Sequence, residues 1–90
     1  MEFEWDEAKR RQTLEERGVD FLHTALIFEG PVLTRTDDRR DYGEVRLISL
    51  GLVDGEVFVV VHTPREERTR IVTAWKGGEK DHEHYTARFP

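Results

Sequence analysis

The 90-residue chain contains no cysteine, which excludes a disulfide framework and any thiolate metal site. No apolar run approaches the length needed to span a bilayer, and no apolar segment follows a basic start. A cytoplasmic protein is therefore expected. A glycine-rich phosphate loop is absent: the one glycine pair, Gly77-Gly78, is too short to make one. An excess of positive charge is also missing: 14 Lys and Arg face 19 Asp and Glu, a formal net charge of −5. Nucleic-acid binding is driven largely by phosphate neutralisation, so a uniformly acidic chain of this kind would repel it.

The charge is not uniform. Residues 1–20 and 21–60 each hold seven acids against four bases, whereas residues 61–90 hold five acids, six bases and three of the four histidines. Any face that meets phosphate should lie in the C-terminal third. Nine aromatics and many Val, Ile and Leu residues argue for a folded core rather than disorder, and the length suits one domain, residues 1–90. Its modest core suggests that a partner supplies part of the stability. Exposed aromatics such as Trp75 and Phe89 would mark the surface that partner covers.

The clearest local signal is Val57–Thr63, a β-branched apolar run, followed by a polar turn at Pro64-Arg65-Glu66-Glu67 and a return run from Arg68 to Trp75. This reads as an antiparallel hairpin. Val45–Leu52 alternates, with Ile48 and Leu50 on one face, and Asp54-Gly55 marks a tight turn after it. Val32–Thr36 is a further short strand, and Asp37–Gly43 a charged loop. Upstream, Asp6 caps a helix over Glu7–Arg17 that stops at Gly18, with Ala8 and Leu14 as its apolar positions. Asp20 caps a second helix, Phe21–Glu29, stopped by Gly30-Pro31. Phe3 and Trp5 alternate with acids, a short strand or packed lead-in, and Glu79–Arg88 has helical potential. The expectation is an α+β fold. Two N-terminal helices pack on one face of an antiparallel sheet of three to four strands, a short C-terminal helix follows, and the other sheet face is left for function.

These residues together resemble the BrnT family, ribonuclease toxins of type II toxin–antitoxin systems. The resemblance rests on Phe3-Glu4-Trp5-Asp6 with Ala8-Lys9, on Leu14, Arg17-Gly18-Val19 and Phe21, and on Ala25, Ile27-Phe28 and Pro31. It continues through Arg46 and Gly51, then Val59-Val60-Val61-His62-Thr63 with Arg65, Arg70-Ile71-Val72-Thr73-Ala74, and Tyr85. It implies a RelE-like fold and a ribonuclease that stalls growth by cutting RNA. It further implies a BrnA-type antitoxin that covers the toxin and carries the complex to operator DNA. A second copy of the chain is another expected partner.

Metal-free RNA cleavage needs a base for the 2′-hydroxyl, an acid for the leaving oxygen, and cations for the charged phosphorane. Arg70 and Arg65 match family arginines and suit the cation role, because the guanidinium fork matches phosphate oxygens. His62, His82 and Tyr85 are the acid–base candidates. Arg68, Lys76, Lys80 and His84 are candidates for holding RNA. His82 and His84 are two residues apart and share a face on a strand but not on a helix, so no metal site and no cofactor is expected. The resembled family usually has an arginine where this chain has Trp75. That departure, with the acidic balance, supports an alternative: a catalytically weakened binding or corepressor module acting with a DNA-binding antitoxin.

Overall fold

The computed structural model describes residues 1–90. The elements in chain order are β1 (Glu2–Trp5), α1 (Glu7–Arg17), α2 (Phe21–Thr24) running into a 3₁₀ turn (Ala25–Glu29), β2 (Leu33–Thr36), β3 (Leu47–Val53), β4 (Glu56–Arg65), β5 (Arg68–Lys76) and α3 (Glu79–Arg88). They form one five-stranded sheet in the order β1-β5-β4-β3-β2.

The β4–β5 hairpin occupies the expected segments, with one refinement. Pro64 and Arg65 continue β4, opposite Thr69 and Arg68, so that only Glu66 and Glu67 turn. Pro64 is tolerated there because β3 pairs with β4 only as far as His62, and its missing N–H costs no ladder bond. The β3–β4 connection is the two-residue Asp54-Gly55 turn, both residues having positive φ (50° and 79°) as the hairpin's twist requires.

The sheet departs from expectation in two ways. It is mixed and five-stranded rather than antiparallel with three or four strands, because β1 pairs in parallel with β5, Glu4 opposite Arg70 and Trp5 opposite Ile71. Four alternating residues reveal a strand but neither its neighbour nor its direction. The helices also do not share one face. Val19, Phe21, Ala25 and Ile27 pack with Phe58, Val60, Ile71 and Ala74 on one side. On the other, Tyr85 of α3 packs with Ile48, Leu50, Val57, Val59 and Val61. Seven consecutive residues of β4, Val57 to Thr63, are buried, so both faces need a cover.

The helices repay local reading. Asp6 accepts from the amides of Ala8 and Lys9, and Gly18 closes α1 at φ 68°. The side chain α1 buries is Thr13, whereas Leu14, expected to pack, is 41% exposed. The second helix is α-helical only to Thr24. β-Branched Thr24 and Ile27 with Phe28 disfavour its continuation, and the tighter turn seats Ile27 directly on Gly51 of β3. Trp75 and Phe89 are half-buried against the α3-side core, so the exposed apolar surface lies elsewhere, at Met1, Leu22, Leu26, Val45 and Leu52.

Gly51 has no room for a side chain: a Cβ there would sit 2.5 Å from Ile27 Cβ. Gly51→Ala is therefore expected to cost about 1–3 kcal/mol by overpacking. At roughly 4–8 °C per kcal/mol for a domain of this size, thermal denaturation followed by circular dichroism measures it directly.

Candidate functional site

Helix α3 covers only one end of its sheet face. The uncovered end carries Glu2 and Glu4 of β1, Arg65 of β4, and Arg68 and Arg70 of β5, placed together by the registers Glu2–Arg68, Glu4–Arg70 and Arg65–Arg68. Two adjoining clefts open here. One, of about 490 Å³, is lined by Glu2, Glu4, Arg65, Glu66, Glu67 and Arg68. The other, of about 260 Å³, is lined by Asp6, Lys9, Glu44, Arg46, Arg70, Ile71 and Val72.

The chain's arginines differ in how much of their hydrogen-bonding fork is already spent. Arg10 is held by Glu7 and Asp20 at the base of α1. Arg39 grips the buried Asp37 through two parallel bonds of 2.7 and 2.8 Å. That grip holds the Asp37 carboxyl far below the ordinary carboxylate range. Arg17 caps the exposed edge of β5 at Ala74 O, with its guanidinium 5.8 Å from the Trp75 ring. Arg46 bonds Glu44 through Nε at 3.1 Å and lies 4.1 Å from the Tyr42 ring. Arg70 makes a single contact, Nη1 to Glu4 Oε2 at 2.8 Å, with both side chains about one-third exposed (30% and 28%). Arg68 is only loosely paired with Glu2 at 3.7 Å, and Arg65 forms no ion pair.

A phosphate needs unspent donors and little competing negative charge. Arg65 and Arg68 share their cleft with four carboxylates, Glu2, Glu4, Glu66 and Glu67. The second cleft sets Lys9, Arg46 and Arg70 against Asp6 and Glu44, a cationic excess of one. Asp6 is moreover occupied as the α1 cap. Lys9 and Arg46 stood in the sequence only as positions of family resemblance. No periodicity points to them, because their convergence on Arg70 is made by sheet register and by the start of α1.

The acid–base candidates lie apart from these clefts. His62 faces the opposite side of the sheet, since Arg70 is level with Thr63 and His62 with Ile71. It is 7% exposed, its Nε2 shares a 2.7 Å hydrogen bond with Ser49 Oγ, and its ring stands edge-on to Phe28. Ser49 Oγ in turn meets Thr34 Oγ1 at 2.7 Å, so the imidazole ends a short hydroxyl chain from the sheet edge. Tyr85 is 2% exposed and its hydroxyl donates to Pro31 O at 2.8 Å. Both groups are spent on packing and satisfied internally. His82, His84 and Lys80 ride on α3, where His82 and His84 diverge. Asp81 accepts from the Gly78 amide as part of the α3 cap. Lys76, at the end of β5, pairs with Glu56 at 3.0 Å. No three His, Asp or Glu side chains are grouped as metal ligands.

Burial lowers the His62 pKa from its ordinary 6.5, because the charged form loses solvation and has no acidic partner. The sign follows by linkage. Below about pH 6.5 the unfolded chain binds a proton at this position that the folded chain does not, so stability is complete above that pH and falls as pH drops toward the lowered folded value. Urea midpoints at pH 7.5 and 5.5 should show this loss, at most about 1.4 kcal/mol per pH unit for one proton. His62→Gln should shrink the difference between the two midpoints.

A family model described as ribonuclease toxin, BrnT, of type II toxin–antitoxin system matches residues 5–81. No curated protein matches the chain at significant similarity. The chain belongs to the BrnT toxin family. Membership implies an antitoxin partner. No helix is long and apolar enough to cross a membrane.

Proposed function

We propose that this member of the BrnT toxin family is a RelE-like endoribonuclease that inhibits growth by cutting RNA without a metal. Its working surface is the uncovered end of the α3-side sheet face. The observation that carries this reading is Arg70: a guanidinium about one-third exposed, anchored at one nitrogen on a rigid strand, lining a cleft with Arg46 and Lys9. Such an arrangement offers preorganised donors to the extra negative charge of a phosphorane. Glu44 is our choice of base, because it lines the same cleft and, unlike Asp6, does not cap a helix. His62 and Tyr85 are given structural duties, and Arg65 and Arg68 a peripheral one in steering RNA. His82, His84, Lys80 and Lys76 are left for contacts along the strand at the α3 end. Residues 1–90 act as one toxin unit in the cytoplasm. A BrnA-type antitoxin covers it and carries the complex to operator DNA. Self-association of the toxin within that complex is part of the same reading.

A second reading is supported by one specific feature. Three of the five cations lining the two clefts already have a carboxylate beside them: Arg46 has Glu44, Arg68 has Glu2, and Arg70 has Glu4. Self-neutralisation of this kind would weaken phosphate binding and leave a binding or corepressor module. Trp75, where the resembled family usually has an arginine, points the same way. The guanidinium beside it is borrowed from Arg17 and is spent on Ala74 O.

Inducing the protein without its antitoxin separates the two. A ribonuclease arrests growth and degrades RNA, whereas a weakened module does neither. Arg70→Ala should abolish the arrest, because losing one preorganised charge contact costs roughly 100- to 1000-fold in rate. Arg70→Lys should recover only part of it, since lysine keeps the charge but loses the fork. Circular dichroism checks that each variant folds. A folded, fully toxic Arg70→Ala protein would remove Arg70 from the site.

A further inference from the structure

We infer that Glu4 is a positioning residue for RNA cleavage, and that β1 exists on this sheet to hold it against Arg70. This inference rests on the assignment of Arg70 to the phosphorane. Arg70 lines one cleft and Glu4 the neighbouring one, so their ion pair forms the partition between the two. The pair is end-on, through Nη1 alone at 2.8 Å. Nη2 and Nε are therefore left to a phosphate. A bidentate grip of the Asp37–Arg39 kind would have consumed the fork.

The register of β1 is strongly fixed. Phe3 packs on Phe28 with ring centres 5.5 Å apart, and Trp5 stands edge-on to Phe21 at 6.3 Å. Both aromatics turn toward the core beneath α1 and α2, so alternation sends Glu2 and Glu4 to the opposite face. A slip of one residue would bury the carboxylates and expose the rings. Parallel pairing then sets Glu4 level with Arg70. The neighbouring pair shows what an unbuilt contact looks like here: Glu2 and Arg68 stand 3.7 Å apart with 74% and 59% exposed side chains. A free arginine side chain samples many rotamers, and an aimed one delivers its donors without reorganising.

The test follows cleavage of a labelled single-stranded RNA oligonucleotide of mixed sequence by the parent, Glu4→Ala, Glu4→Thr, Glu4→Gln and Arg70→Ala. Threonine keeps strand propensity while losing the reach to Arg70, which guards against a folding failure of the alanine variant. Glu4→Ala and Glu4→Thr should lower kcat about 10- to 100-fold with KM within about twofold of the parent, the pattern of a mis-aimed transition-state contact. Glu4→Gln, which keeps an acceptor oxygen at the same reach, should recover most of that loss. Parental kcat in Glu4→Ala and Glu4→Thr, beside an inactive Arg70→Ala, would overturn the inference and leave the function standing. Glu4→Gln as damaged as Glu4→Ala would also overturn it, since charge or proton transfer rather than position would then be what matters. An Arg70→Ala protein as active as the parent would overturn the functional assignment beneath it.

Discussion

Strand β4 has no solvent-facing side along Val57–Thr63, and the rest of the molecule is arranged to satisfy that. A strand buried on both faces must sit centrally, with neighbours at both edges; β3 and β5 supply them. It also needs an apolar layer above and below. The α1–α2 unit with its 3₁₀ turn supplies one, seating Ile27 on Gly51 and Phe21 in the core. Helix α3 supplies the other through Tyr85, whose hydroxyl ties it to Pro31. Being ten residues long, α3 covers only part of its face. The charged remainder of that face is where the sheet still meets water, and it holds the arginines of β4 and β5.

The division of the arginines follows from the same geometry. Those near helix ends and turns are spent on the fold: Arg10 on Glu7 and Asp20, Arg39 on Asp37, Arg17 on the open edge of β5. Those projecting from the uncovered sheet keep part of their donor capacity. Among them Arg70 combines a rigid strand, a single anchoring bond and a cleft shared with Arg46 and Lys9. Net acidity is thus compatible with a local phosphate site, although its carboxylates lie close enough to weaken it. The family is one of ribonuclease toxins, and the arginine geometry is the ground for proposing this cleft as the place of the reaction.

Much of the fold could be read from one-dimensional signals. The Val-rich run, the Asp54-Gly55 turn, the Asp6 and Asp20 caps and the Gly18 stop each act over a few residues, and each appears where the sequence points. Properties requiring a distant neighbour were not legible. The partner and direction of β1, the burial of Thr13 in place of Leu14, and the passage of α3 to the opposite face depend on packing that no local pattern encodes. The site divides the same way. Arg70 stood out as an arginine of the return strand that matches the resembled family. His62 looked equally chemical, yet alternation along β4 puts it on the face of Val60, where Phe28 covers it and Ser49 supplies a buried hydroxyl partner. Lys9, Arg46 and Glu4 acquire meaning only once the start of α1, the residues just before β3, and β1 come together around Arg70.

In the proposed reaction, RNA phosphate enters the Arg70 cleft. Amide and arginine side-chain NMR shifts, followed while titrating a 2′-O-methyl single-stranded oligonucleotide that cannot be cut, test it most directly. The largest, saturable changes are expected at Lys9, Arg46 and Arg70, with smaller ones at Arg65 and Arg68. Changes confined to α3 around Lys80, His82 and His84, with Arg70 unmoved, would contradict it.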